Sequence, residues 1–117
     1  PSDSGWLGCE SGSMVGRGIM TFASKQNTII GAIATNAKLD KAAANRFAEC
    51  ASDGITLTTQ PAFSMFDGDT VFGLSTGRKK IDINILCAFA PLVFADAILN
   101  AVLNAESVGG LPAAKNY

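Results

Sequence analysis

Two β-branched apolar runs and two helical stripes alternate along this chain. Thr28 to Thr35 (Thr-Ile-Ile-Gly-Ala-Ile-Ala-Thr) favours extended backbone and predicts a buried strand. Asn36 to Leu39 is a connection, after which Asp40 can cap a helix to about Asp53, because Ala43, Phe47, Cys50 and Ala51 recur at helical spacing. Gly54 stands where a helix stop belongs, and Ile55 to Thr59 is β-prone up to Pro61. Thr70 to Ser75 is a second strongly β run, with Thr76-Gly77-Arg78-Lys79 as the turn after it. Asp82 opens a long helix through Asn104 with a wide apolar face, in which Pro91 predicts a kink or break. Ahead of these elements, residues 1–18 are Gly- and Ser-rich and read as loop, Ile19 to Ala23 as a short strand, and Ser24 to Asn27 as an exposed turn. The order β-β-α-β-β-α predicts an α/β (α+β) sheet covered by helices.

Composition narrows the class. With 117 residues, 48% hydrophobic and 16% charged, the chain has the apolar material for one packed domain rather than a disordered segment. Nine basic and ten acidic residues leave a net charge of -1, and the Arg78-Lys79-Lys80 cluster reads as a solvated turn, so no nucleic-acid partner is expected. Cys9, Cys50 and Cys87 are odd in number and widely spaced, and the chain has no histidine, so a zinc site is not expected. The cysteines read as reduced thiols of a cytoplasmic protein, with Cys50 and Cys87 in apolar helical positions of the core. The most apolar stretch, Ile85 to Ala95, is about half a membrane span and is bounded by polar residues, which predicts a buried helix and no membrane partner. The N-terminal residues lack the pattern of a signal peptide.

Candidate chemistry is sparse. The glycines of the first segment follow no strand and precede no Lys-Ser/Thr, so they are neither a dinucleotide fingerprint nor a phosphate loop. Asp67-Gly68-Asp69 has the composition of a tight turn and lacks the further ligands of a Ca²⁺ loop. Two carboxylates could also serve glycoside hydrolysis, but no aromatic platform accompanies them. Thr28 taken alone is a strand threonine. Asn27 in front of it adds a specific possibility: cleavage of that bond would free a threonine whose own α-amine is the base for its hydroxyl, giving nucleophilic amide chemistry without histidine.

Asn27-Thr28-Ile29-Ile30-Gly31-Ala32-Ile33-Ala34-Thr35-Asn36-Ala37, with Leu39, resembles the start of the small subunit in the P1/S58 family. That family includes L-aminopeptidase/D-esterases, β-aminopeptidases and the nylon-oligomer (6-aminohexanoate oligomer) hydrolases. Asp67-Gly68-Asp69-Thr70-Val71-Phe72 with Leu74-Ser75-Thr76-Gly77 is similar to its second signature, and Gly110-Leu111-Pro112 to its C-terminal end. The resemblance covers Ile19 to Tyr117. It implies an αββα sandwich of the N-terminal-nucleophile type, a precursor that cuts itself into α and β subunits, and an oligomer. By position, Thr28 would be the nucleophile, Asn27 the last residue of α, and Asp67 and Asp69 the acids that orient the nucleophile, a pattern nearest the nylon-hydrolase branch. No cofactor and no metal are implied.

The resemblance divides the chain into residues 1–27, expected to be a remnant of the α subunit, and residues 28–117, expected to be the whole β subunit. Gly5 to Arg17 loosely resembles an internal α segment, with Arg17 standing where a functional lysine is expected; arginine stays protonated and cannot act as a base. No residue matches the α-subunit asparagine of the oxyanion site. Two functions remain open: an amide hydrolase acting on peptides or other small amides through Thr28, and a non-catalytic structural or self-assembling module built on the same fold. Apolar surface left by a missing α portion predicts a companion α chain or association of copies, with the Asp82–Asn104 helix as the face to be covered.

Overall fold

A computed structural model describes residues 28–65 and 67–116. Its elements run in the order strand β1 (Ile30–Ala37), helix α1 (Lys41–Thr58), strand β2 (Thr70–Lys79) and helix α2 (Ile83–Asn104), followed by a 3₁₀ turn at Ala114–Asn116. The predicted strand at Ile19 to Ala23 lies outside the described residues. The described part is therefore a β-α-β-α unit, α+β in kind.

β1 and β2 pair in parallel from Ile30↔Thr70 to Thr35↔Ser75, and the register then shifts so that Ala37 faces Lys79. The turn expected at Thr76 to Lys79 is instead the last part of β2. The extra residues bulge out of the ladder, with Gly77 at φ +72°, before Lys38 N–H donates to the Lys79 carbonyl at 2.6 Å. The Ser75 hydroxyl locks this end by donating to the Ala37 carbonyl at 2.6 Å and accepting from Leu39 N–H at 3.3 Å.

Both helices cover one face of the sheet. Gly73 of β2 lies under α1, where an added Cβ would sit 2.5 Å from the Ala44 carbonyl oxygen, and Gly31 of β1 lies under the Phe94 ring of α2. Ile33, Phe47, Ala51, Ile55, Ala90 and Phe94 form the buried core between the layers. The other face of the sheet carries Ile30, Phe72 and Leu74 at 72%, 57% and 51% exposure, so β1 is half-buried here rather than fully buried.

Each helix begins at the expected cap: Asp40 accepts from Ala43 N–H at 2.8 Å and Asp82 from Asn84 N–H at 2.9 Å. Two expectations along α1 are overturned. The helix runs through Gly54, and Ile55 to Thr58 is helical rather than β. Gly54 is where α2 comes closest: a Cβ there would stand 2.6 Å from the Pro91 carbonyl oxygen and 2.9 Å from Ala95 N. Its missing side chain thus serves helix packing, and Ile55, one position on, is fully buried by the same contact. α2 in turn continues through Pro91 as one helix. It buries Ala90, Phe94 and Ala95 among the described residues and leaves Ile85, Phe89, Leu92, Val93, Leu99 and Leu103 exposed. The expectation of a buried helix thus holds for one stripe of it. By length and composition α2 is apolar enough to cross a membrane, a property it shares with core helices of larger folds.

Candidate active site

The parallel pairing brings the two sequence signatures together at one end of the sheet. Because Ile30 pairs with Thr70, the residues just before each strand become neighbours. Thr70 N–H donates to the Ile29 carbonyl at 2.9 Å, and Ile29 N–H donates to Asp69 Oδ1 at 2.8 Å. Thr28 therefore lies beside the Asp67-Gly68-Asp69 loop, with its Oγ1 3.1 Å from where a Cβ on Gly68 would be. Any side chain at residue 68 would press on the Thr28 hydroxyl.

The two carboxylates also hold the chain that leads into them. Asp69 Oδ2 accepts from Phe63 N–H at 3.1 Å, so one carboxylate ties the start of β1 to the loop after α1. Asp67 Oδ2 accepts from Ser64 N–H at 2.9 Å, and Asp67 N–H returns a bond to the Ser64 carbonyl at 3.1 Å. Phe63 itself takes φ +53°, a left-handed backbone that a bulky residue adopts only when its surroundings hold it. Asp67 and Asp69 thus accept from the backbone N–H groups of Ile29, Phe63 and Ser64. The partnership with Phe63 and Ser64 was not read from the sequence. The Ser64-x-x-Asp67 spacing is a local signal for one of these bonds; the Phe63 bond depends on the course of the loop and has none.

Asn27 and Arg17 lie outside the described residues. An open cleft of about 360 Å³ adjoins the site on the α1 side, lined by Asn45, Ala48, Glu49, Ser52, Phe63, Asp69, Thr70 and Val71. It shares Asp69 with the Thr28 end of the sheet, but Thr28 is not part of its lining. Glu49 on its rim pairs with Arg46 at 3.1 Å across an exposed turn of α1, and that hydrogen bond raises the Arg46 pKa.

Thr28 and the Asp67-Gly68-Asp69 loop thus lie together where the two parallel strands begin. Residues 6–115 match peptidase family S58, and the chain belongs to that family. It is 41% identical over 104 residues to an uncharacterized aminopeptidase of Mycobacterium leprae, covering 76% of this chain and 29% of that protein. A similar uncharacterized aminopeptidase of Mycobacterium tuberculosis is 40% identical over 106 residues, covering 78% of this chain and 31% of the relative. A 6-aminohexanoate-oligomer endohydrolase of Paenarthrobacter ureafaciens is 32% identical over 88 residues, covering 64% of this chain and 25% of the enzyme. The chain thus spans less than a third of the length of these relatives.

Proposed function

We propose that this chain carries the nucleophile end of an amide hydrolase, with Thr28 as the nucleophile once the Asn27–Thr28 bond is cut. The observation that supports it most is the contact of Thr28 with Gly68 while Asp69 holds the N–H of the next residue, Ile29. This anchors the chain immediately after the proposed cut, so the new terminus would stay in place. In the cut itself, Thr28 Oγ attacks the Asn27 carbonyl carbon, the amide becomes an ester as the acyl group moves from N to O, and water hydrolyses the ester. The α-amine so freed then takes the Oγ proton as Thr28 attacks a substrate carbonyl, and the proton passes to the leaving amine. Water releases the acyl group from the threonine ester. Asp67 and Asp69 place negative charge beside the amine and fix the loop against which it sits.

The substrate class is a peptide or another linear amide, in line with the aminopeptidase and oligomer-hydrolase names of the relatives. The αββα sandwich is part of the same reading: the exposed apolar face of β1 and β2 is the side on which a second sheet would pack. That sheet would come from α-type sequence in a companion chain, a longer parent or a second copy.

Intact mass under denaturing conditions, with any co-purifying chain retained, tests the reading. Two fragments meeting at Asn27 and Thr28 are expected, with Thr28→Ala leaving the chain uncut and Thr28→Ser restoring slower cutting. Cutting that persists in Thr28→Ala overturns the mechanism. A chain that stays uncut and inert toward small amides with its partner present favours the non-catalytic module instead.

A further inference from the structure

The α1–α2 interface contains a pair of cysteines that the proposed chemistry does not use. Gly54 on α1 meets the Pro91 carbonyl on α2. Four residues back along each helix stand Cys50 and Cys87, near enough for Cys87 to raise the pKa of the Cys50 thiol. The equal step along both helices is what two helices running in the same direction require, as expected when each follows one of two parallel strands. Geometry favours a bond between the two sulfurs. Cα atoms lie about 2.3 Å from a helix axis, so axes about 8–10 Å apart put directly facing Cα atoms roughly 3.4–5.4 Å apart, and the upper part of that span falls within the range of about 4.4–6.8 Å that a disulfide takes. Both cysteines are free and half-buried, so a small oxidant can reach them.

We propose that Cys50 and Cys87 are an oxidation site: a reversible disulfide pair that staples α1 to α2, with a peroxide as the co-reactant. The balance is complete with that partner. One thiolate attacks a peroxide oxygen, the O–O bond breaks, hydroxide leaves to become water, and a sulfenic acid forms. The second sulfur then displaces the sulfenic hydroxyl, forming the S–S bond and a second water. Two thiols lose two electrons and two protons, and the peroxide takes up both. Burial raises the Cys50 pKa, the neighbouring Cys87 thiol raises it further, and the Arg46 guanidinium one turn earlier opposes both. The staple closes the long loop that contains α1's last turns, the Asp67-Gly68-Asp69 segment and all of β2, and so removes freedom from the unfolded chain.

The test uses the full chain with Cys9→Ser, which leaves the pair as the only thiols. After reduction and then mild hydrogen peroxide, non-reducing digestion is expected to give one cross-linked peptide pair containing Cys50 and Cys87. Its mass should be lower by two hydrogens, dithiothreitol should reverse it, and the melting temperature should rise while it is present. Stable sulfinic or sulfonic acid at either cysteine without a cross-link, or disulfides that join separate chains, would overturn the proposal. The readout is independent of amide hydrolysis, so it stands or falls whether or not Thr28 is a nucleophile.

Discussion

Asp69 is the residue on which the site depends most, and its replacement has a calculable effect. Its carboxylate accepts Ile29 N–H at 2.8 Å and Phe63 N–H at 3.1 Å, two charge-assisted bonds that tie β1 to the loop after α1. Bonds to a charged group contribute about 1.5–3 kcal/mol each. The Phe63 donor is exposed, so water replaces much of its share, whereas the Ile29 donor is partly buried and loses more. Asp69→Ala should therefore cost about 2–4 kcal/mol. Asp69→Asn keeps one carbonyl acceptor and turns an NH₂ group toward the other donor, so it should cost roughly half as much. Urea unfolding followed by circular dichroism measures both, and under the proposed mechanism the cutting rate at Asn27–Thr28 should fall in the same order. Both variants within about 0.5 kcal/mol of the parent, the scatter of ordinary surface changes, would refute the claim that this carboxylate holds the site together.

Gly54→Ala improves helix propensity by about 1 kcal/mol but drives a methyl into the Pro91 carbonyl and the Ala95 backbone, which no side-chain rotation relieves. A net loss of about 1–2 kcal/mol in thermal or urea unfolding is expected, and a gain in stability would mean that the helices are not in contact there. The Cys50 thiol titrates above its ordinary value of 9.0 because of burial and the neighbouring Cys87 thiol. Its folded pKa is thus higher than its unfolded pKa, so its contribution is fully present below pH 9.0 and is lost as pH rises beyond that through the folded value. The stability difference between the reduced parent and Cys50→Ser should shrink over that range; a difference that grows with pH would reverse the sign of the argument.

Local chemistry made much of this molecule legible. Asp40 and Asp82 mark the helix starts because a short acceptor before a periodic apolar run has one good use, capping free N–H groups. The β-branched runs after Thr28 and Asp69 are strands for a similarly local reason. Gly54 was misread because a glycine between helical and β-prone residues has the same local signature whether it ends a helix or admits a neighbour. Only the approach of Pro91 on α2 distinguishes the two, and that partner lies far along the chain. The turn expected at Thr76 to Lys79 was overridden by the same kind of distant contact, here the Lys38–Lys79 bond that carries β2 past its bulge.

The same division runs through the site. Thr28 and the Asp67-Gly68-Asp69 segment were visible as residue types, and their resemblance to family S58 was visible as motif order. Their meeting followed from the resemblance alone, and its geometry did not, since nothing in either segment states that β1 and β2 pair in parallel with Ile30 opposite Thr70. Strand register is a long-range quantity, set by which apolar faces the helices cover. Propensity and capping act within a few residues and are written locally, whereas register and the partners of Asp69 exist only once distant segments pack.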